Sequence, residues 1–196
     1  PLHQWPPVSF AKNLPGIELE IPNRSRHRID TGKSILERIG GALVVSSFEQ
    51  GMGKERLLDG SNRTNWQSKT SGKPAEAPHF VTIQNPQQAE IEGIIYSTLS
   101  GGDGNGQVES YAIYVSTDGV EWGEPLAEGD LLTRLAAEQM ILFPHPVKTP
   151  FIKFVVTDAY STGEPACASI GKLDVMAEVT VPSEKVNISV SAASSD

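Results

Sequence analysis

Few residues in this chain of 196 are spaced for covalent or acid–base chemistry. The four histidines, His3, His27, His79 and His145, stand far apart and lack metal-ligand spacing. His79 opens an apolar run and His145 sits between two prolines, so each reads as structural or solvated. There is one cysteine, Cys167, which excludes an internal disulfide framework and a cysteine-rich zinc site. Its surroundings, "ACASIGKLDV", read as a core strand in which a thiol packs as a small hydrophobe. No base stands near it to make it a nucleophile. No Gly-x-Ser-x-Gly elbow is present. The glycine-rich "GGDGNG" lacks the Lys-Ser/Thr and the helix that a phosphate loop needs, and reads as a hairpin loop. No catalytic residue is assigned, and the sequence predicts a protein that is not an enzyme.

Composition narrows the partners. Acidic residues outnumber basic ones 24 to 16, for a net charge of −8, which argues against a nucleic-acid backbone or an anionic membrane surface. At 38% hydrophobic the chain can build a core, and no stretch approaches the ~20 apolar residues of a membrane helix. Eighteen Gly and 14 Pro against three Met favour strands and turns over a helical bundle. Pro1 in place of an initiator Met suggests a processed or excised chain.

Charge also divides the chain. Residues 1–40 carry six Lys/Arg and four Asp/Glu, net +2, leaving ten and twenty, net −10, for residues 41–196. The first forty residues read as an extended arm: "PLHQWPPVSF" is polyproline-like, "GIELEI" alternates as a short strand, and "NRSRHR" is a basic cluster. "TGKSILERIG" has the makings of one or two helical turns, capped by Thr31 or Ser34 and stopped by Gly40.

From residue 42 onward the chain is a series of short β segments: "ALVVSSF", "HFVTIQN", "EIEGIIYST", "VESYAIYVST", "EQMILF", "FIKFVVTD" and "ASIGKLDVMAE". Asp59-Gly60, Gly101-Gly102, Asp103-Gly104, Asp118-Gly119 and Thr162-Gly163 are turn signals between them. In "YAIYVS", Tyr111, Ile113 and Val115 share one face while Ala112 and Tyr114 share the other, which suits a central strand. No long helical period interrupts the region. The pattern predicts an all-β fold, an antiparallel β-sandwich (jelly roll) of about eight strands over residues 41–180, with an arm over 1–40 and a tail over 181–196. The tail holds a short edge strand, Val186–Val190, and an Asn187-Ile-Ser sequon.

Four segments in order resemble the coagulation factor 5/8 type C family, also called discoidin-like or galactose-binding-like domains, which includes family 32 carbohydrate-binding modules. "LLDGSNRTNW" resembles the family's Asp-Gly … Thr-x-Trp loop. "PHFVTIQNPQQAEIEGIIY" resembles its following strand pair, and "NGQVESYAIYVSTDGVEWG" is the most specific match. "ASIGKLDV" resembles the closing strand. Within this frame Trp66 and Trp122 are expected to be core or barrel-end anchors.

The resemblance implies a structural calcium held between the Asp-Gly loop and a Glu of the closing strand. Asp59, Asn62 and Thr64 would supply loop oxygens, but Lys172 stands at the position of that Glu. An ammonium cannot ligate calcium and repels it. Lys172 is therefore expected to replace the ion by pairing with Asp59 or local carbonyls, so that no cofactor is needed and calcium is left only a degenerate site. The family's galactose-binding Arg is replaced by Leu99, which offers no donor to a sugar hydroxyl. Asn105 matches the family's Asn-Gly and either binds ligand or braces its own loop.

The implied function is a non-catalytic binding module that recognises a glycan or another surface ligand. Its loops at one end span residues 49–54, 67–77, 99–105 and 159–164, with Lys69, Asn105 and Tyr160 as ligand contacts and Tyr160 as the stacking platform. The alternative is a structural subunit packed in a larger assembly through its arm and sandwich surface. The expected location is extracellular or periplasmic.

Overall fold

A computed structural model describes residues 34–61, 63–101, 103–132, 138–163 and 166–178. The predicted arm up to residue 33, the tail with its strand and sequon, and Asn62 lie outside the described residues.

One short helix, α1 (Ile35–Arg38), leads into β1 (Ala42–Val45). A single 3₁₀ turn, Lys54–Leu57, precedes β2 (Trp66–Gln67). Then come β3 (His79–Gln84), β4 (Ile91–Ser97), β5 (Val108–Ser116), β6 (Ala127–Asp130), β7 (Gln139–Val147), β8 (Phe151–Ala159), β9 (Ser169–Ile170) and β10 (Lys172–Ala177). Of these ten strands two have only two residues, which leaves the eight the sequence predicts. Every pairing is antiparallel, in a five-stranded sheet ordered β1-β3-β8-β5-β6, a three-stranded sheet ordered β10-β4-β7, and the small β2-β9 ladder.

The period-2 pattern explains which residues meet between the sheets. Leu43, Ile83, Ile152 and Val115 are register partners along one inward row of the large sheet, and Val45, Val81, Phe154 and Ile113 form the next. Tyr96 of β4 stacks on Phe154 at 6.2 Å, and Tyr111 stacks on Phe154 at 5.7 Å. The buried Tyr96–Phe154 pair joins the two layers, each fully buried side chain of this size contributing about 1.5–3 kcal/mol, and the half-buried Tyr111 packs on Phe154 within the large sheet. As predicted, β5 is a central strand with Ile113 buried on one face and Ala112 on the other. Ala112 shares the outer face with Lys153 of β8, whose ammonium lies 3.7 Å from the centroid of the Trp122 ring and 5.1 Å from that of Phe80. Trp122 is thus an anchor that clamps the β5–β6 hairpin to the sheet, as expected.

Two features differ from the sequence reading. β7 runs through Pro144 and Pro146 to Val147, although prolines demote a strand. The sheet order leaves β7 at an edge, where a missing N–H costs no ladder bond. The predicted arm boundary also falls inside packed structure. Ser34 caps α1 in a reciprocal box with Glu37, Ile35 and Leu36 are buried, and Gly40 closes the turn at φ 73°. α1 lies on the outer face of β10, because Asp174, which alternates with the inward Leu173, accepts its first N–H groups.

Candidate functional site

Strand directions decide which loops meet. β1 and β8 end where β3 and β5 begin, since Val45 pairs with Val81, His79 with Val156, and Val108 with Ala159. β4 ends where β10 begins, with Ser97 opposite Lys172. The loops 46–53, 67–78, 98–107 and 160–168 therefore share one end of the sandwich, the end that the sequence reading selected.

Hydrogen bonds knit that rim into a continuous band. Trp66 is buried, and its indole N–H donates to the Ser47 carbonyl at 2.8 Å, while the Lys69 N–H donates to Ser47 Oγ at 3.2 Å. The Ser68 N–H donates to the Ala168 carbonyl, and the Ala168 N–H donates back to Ser68 Oγ, both at 2.9 Å. The Ser169 N–H donates to the Gly106 carbonyl at 2.6 Å, and the Gly106 N–H donates to the Tyr160 carbonyl at 2.7 Å. Gly106, at φ 79°, must be glycine, because a Cβ there would lie 2.8 Å from Cys167 Sγ. Glu49 staples the 69–75 loop, with one carboxylate oxygen accepting from the Thr70 N–H and the Ser71 N–H at 2.8 Å each and from Thr70 Oγ1 at 3.1 Å. The Ser71 hydroxyl, followed by the Thr70 and Ser71 N–H groups, lowers its carboxyl to a pKa of about 2.

The predicted ligand contacts fall into two groups on this band. Asn105 and Tyr160 come together. Asn105 Oδ1 accepts from the Thr162 N–H at 2.9 Å, its Nδ2 donates to Cys167 Sγ at 3.5 Å, and its own N–H donates to Asp103 Oδ1 at 3.0 Å. Its amide thus ties its own loop to the 160–168 segment. Tyr160 is half-buried beside it. Lys69 is exposed on the far side of the 168–169 segment. Hydrogen bonds from the 68–69 segment to 168–169, from there to Gly106 and from Gly106 to Tyr160 separate Lys69 from Tyr160, and Phe48 lies one bonded segment further, beside Ser47. Leu99, at the family's Arg position, is half-buried and follows β4 on this same rim.

Phe48 is the residue the sequence reading missed. It stands between Ser47 and Glu49, both bonded to the 67–71 segment, and its side chain is 57% exposed. An aromatic ring exposed on a well-held loop is a candidate contact for a ligand. The run "ALVVSSF" hid it by reading as one strand; the signal was an aromatic immediately before the polar "EQGMGKE" loop.

The loop implied for calcium has Asp59 and Thr64 together, with the Asp59 carboxylate already engaged. Its Oδ2 accepts from Thr64 Oγ1 at 2.6 Å and its Oδ1 from the Ser61 N–H at 2.8 Å, while Gly60 turns at φ 76°. Lys172 does not pair with Asp59 as expected. Its ammonium donates to Glu138, because Asp59 is exposed and turned into its own loop. Lys172 also lines a cavity of about 10 Å³ with Ser34, Leu57, Leu58, Gly60 and Asp174. A divalent ion about 4 Å from this ammonium would be repelled by about 8 kcal/mol at an effective dielectric of 20. These residues do not fit calcium. Among the described residues no group of three or more His, Cys, Asp or Glu is disposed to hold a metal.

Among the described residues no other group gathers into a reactive centre. Cys167 is buried, and burial, with Asp103 adding to it, pushes its thiol pKa up, away from the thiolate. Burial pulls the His79 pKa down, and His145 is exposed on the edge strand. Among the described residues no helix is long and apolar enough to cross a membrane.

An antiparallel sandwich whose loops converge at one end is a discoidin-like jelly roll. Residues 42–170 match the F5/8 type C domain, and the chain belongs to that family. A galactose oxidase of Gibberella zeae is 29% identical over 98 residues, 49% of this chain and 14% of that protein. A sialidase of Micromonospora viridifaciens is 33% identical over 89 residues, 45% of this chain and 13% of that one. The chain thus spans about one seventh of the length of these relatives. Among solved structures, a CBM32 module of Clostridium perfringens in complex with GalNAc-β-1,3-galactose superposes with a TM-score of 0.60 at 23% identity, covering 74% of this chain and 99% of that one.

Proposed function

We propose that this domain is a non-catalytic glycan-binding module that takes its ligand on the knitted rim and serves a larger, exported protein. The observation that carries the reading is Phe48, an exposed ring on a loop fixed by Ser47, Glu49 and the 67–71 segment. A sugar presents an apolar face of C–H groups that stacks on such a ring, and Lys69 beside it donates to hydroxyl or carboxylate oxygens. Tyr160 forms a second contact, set apart from Phe48 by the 68–69, 168–169 and 106 segments, so an extended oligosaccharide fits better than a single sugar. The ligands of the sugar-binding neighbour support the glycan class.

A second reading, an accessory domain that packs within an assembly, is favoured by β7. Its outward Met140 and Leu142 are 59% and 66% exposed on an edge strand. One experiment separates the two. The full chain and its F48A and L142K variants are screened on a glycan array, and binding to the best hit is measured by calorimetry. Glycan binding weakened at least tenfold by F48A and unchanged by L142K supports the rim. No glycan bound by a folded wild type, with association altered by L142K, supports the assembly reading instead.

A further inference from the structure

The position where the family's calcium chemistry fails in this chain is filled by a buried cation. Lys172 opens β10 opposite Ser97 of the central strand β4 and is 7% exposed. Its ammonium is hydrogen-bonded to Glu138, in the segment that leads into β7. Two residues along the same face, Asp174 is 2% exposed. Its two oxygens accept from the Ile35 and Leu36 N–H groups of α1 at 3.0 Å each and from the Val175 N–H at 2.9 Å. Leu57, Leu58 and Gly60 of the Asp-Gly loop close over Lys172 and Asp174, with Ser34 of the α1 cap, around a space no larger than one water. Three chain segments thus meet around the Lys172–Asp174 face: the Asp-Gly loop along the small cavity, the start of α1 on Asp174, and the approach to β7 on the ammonium.

We propose that Lys172 is a built-in substitute for a structural divalent cation, so that this domain folds and keeps its rim in order without calcium. Four arguments meet here. A buried ammonium needs compensating charge, and Glu138 and Asp174 supply it. The remaining cavity has no room for a six- to eight-coordinate ion with its waters. The Asp59 oxygens are spent on Ser61 and Thr64. A cation tethered to the chain cannot be removed by a chelator. The inference does not depend on what the rim binds.

The test is thermal denaturation of the full chain in EDTA and in millimolar CaCl2, with calcium titrated calorimetrically. Wild type is expected to show no calcium heat and the same Tm in both buffers. A site occupied at a hundredfold excess over its Kd would raise Tm by about 5–10 °C, and a rise of that size in wild type overturns the proposal. K172M is expected to lower Tm equally in both buffers, whereas K172R retains most of the wild-type Tm. A K172M domain as stable as wild type shows the lysine to be idle and equally overturns it.

Discussion

Replacing Asp174 by alanine tests the packing that holds α1 against the sandwich. In the folded chain one carboxylate receives three backbone N–H groups, from Ile35, Leu36 and Val175. Each hydrogen bond to a charged group is worth about 1.5–3 kcal/mol, a gross loss of roughly 5–9 kcal/mol on truncation. Part of this is returned, because the carboxylate is desolvated. Burial raises its pKa despite the three N–H groups and Lys172, which oppose the shift. The net expected loss for D174A is about 3–5 kcal/mol, the range for breaking a buried charged pair, or a fall in Tm of about 6–20 °C for a domain of this size. D174N is the internal control. Its amide has the shape of the protonated acid and keeps one acceptor oxygen, so it loses less, about 1–3 kcal/mol. The sign with pH follows: a raised folded pKa stabilises most below the ordinary Asp range, and that contribution is lost as pH rises through the folded pKa. D174N therefore narrows its deficit against wild type as pH rises across that window. The assay is chemical denaturation of the three proteins from acid to neutral pH, with amide exchange at Ile35 and Leu36. D174A within about 0.5 kcal/mol of wild type, or exchange that speeds up everywhere except at those two amides, would refute the reasoning.

Two further outcomes are expected. The Glu49 carboxyl is held at a pKa of about 2, below its ordinary 4.5, so its stapling of the 69–75 loop is intact above pH 4.5 and lost as pH falls through about 2. NMR exchange at Thr70 and Ser71 should report that loosening before the sheets unfold, and E49Q should show it already at neutral pH. G106A forces a Cβ to 2.8 Å from Cys167 Sγ at φ 79°, and should cost about 1–3 kcal/mol in denaturant titration; a neutral result would mean that the 105–107 turn is soft rather than packed.

The rim derives its order from the layers beneath it. Phe154, stacked by Tyr96 and Tyr111, fixes the separation of the two sheets, so the loops begin from fixed strand ends. Backbone and side-chain bonds then pass from Ser47 through Ser68, Ala168 and Gly106 to Tyr160. Among the described residues the rim is held by these bonds, so under the proposed reading a ligand on Phe48 or Tyr160 meets groups already held in place, which lowers the ordering cost of binding.

Local chemistry alone determined the sandwich. Alternating Val, Ile, Tyr and Phe between Gly turns can bury one face of each segment in only a few ways, and "YAIYVS", apolar on both faces, had to be central. The Ser34 cap, one of two the sequence offered, and the Gly40 stop were equally legible, because each depends on a residue's own bonding capacity. Contact across the chain settled the rest. That Lys172 meets Glu138 and not Asp59, that Asn105 spends its amide on Thr162 and Cys167, and that Phe48 stays in water depend on pairings between residues tens of positions apart. Strand order, which no local pattern encodes, left β7 at an edge where its prolines are harmless and set Lys69 and Tyr160 at opposite ends of one band.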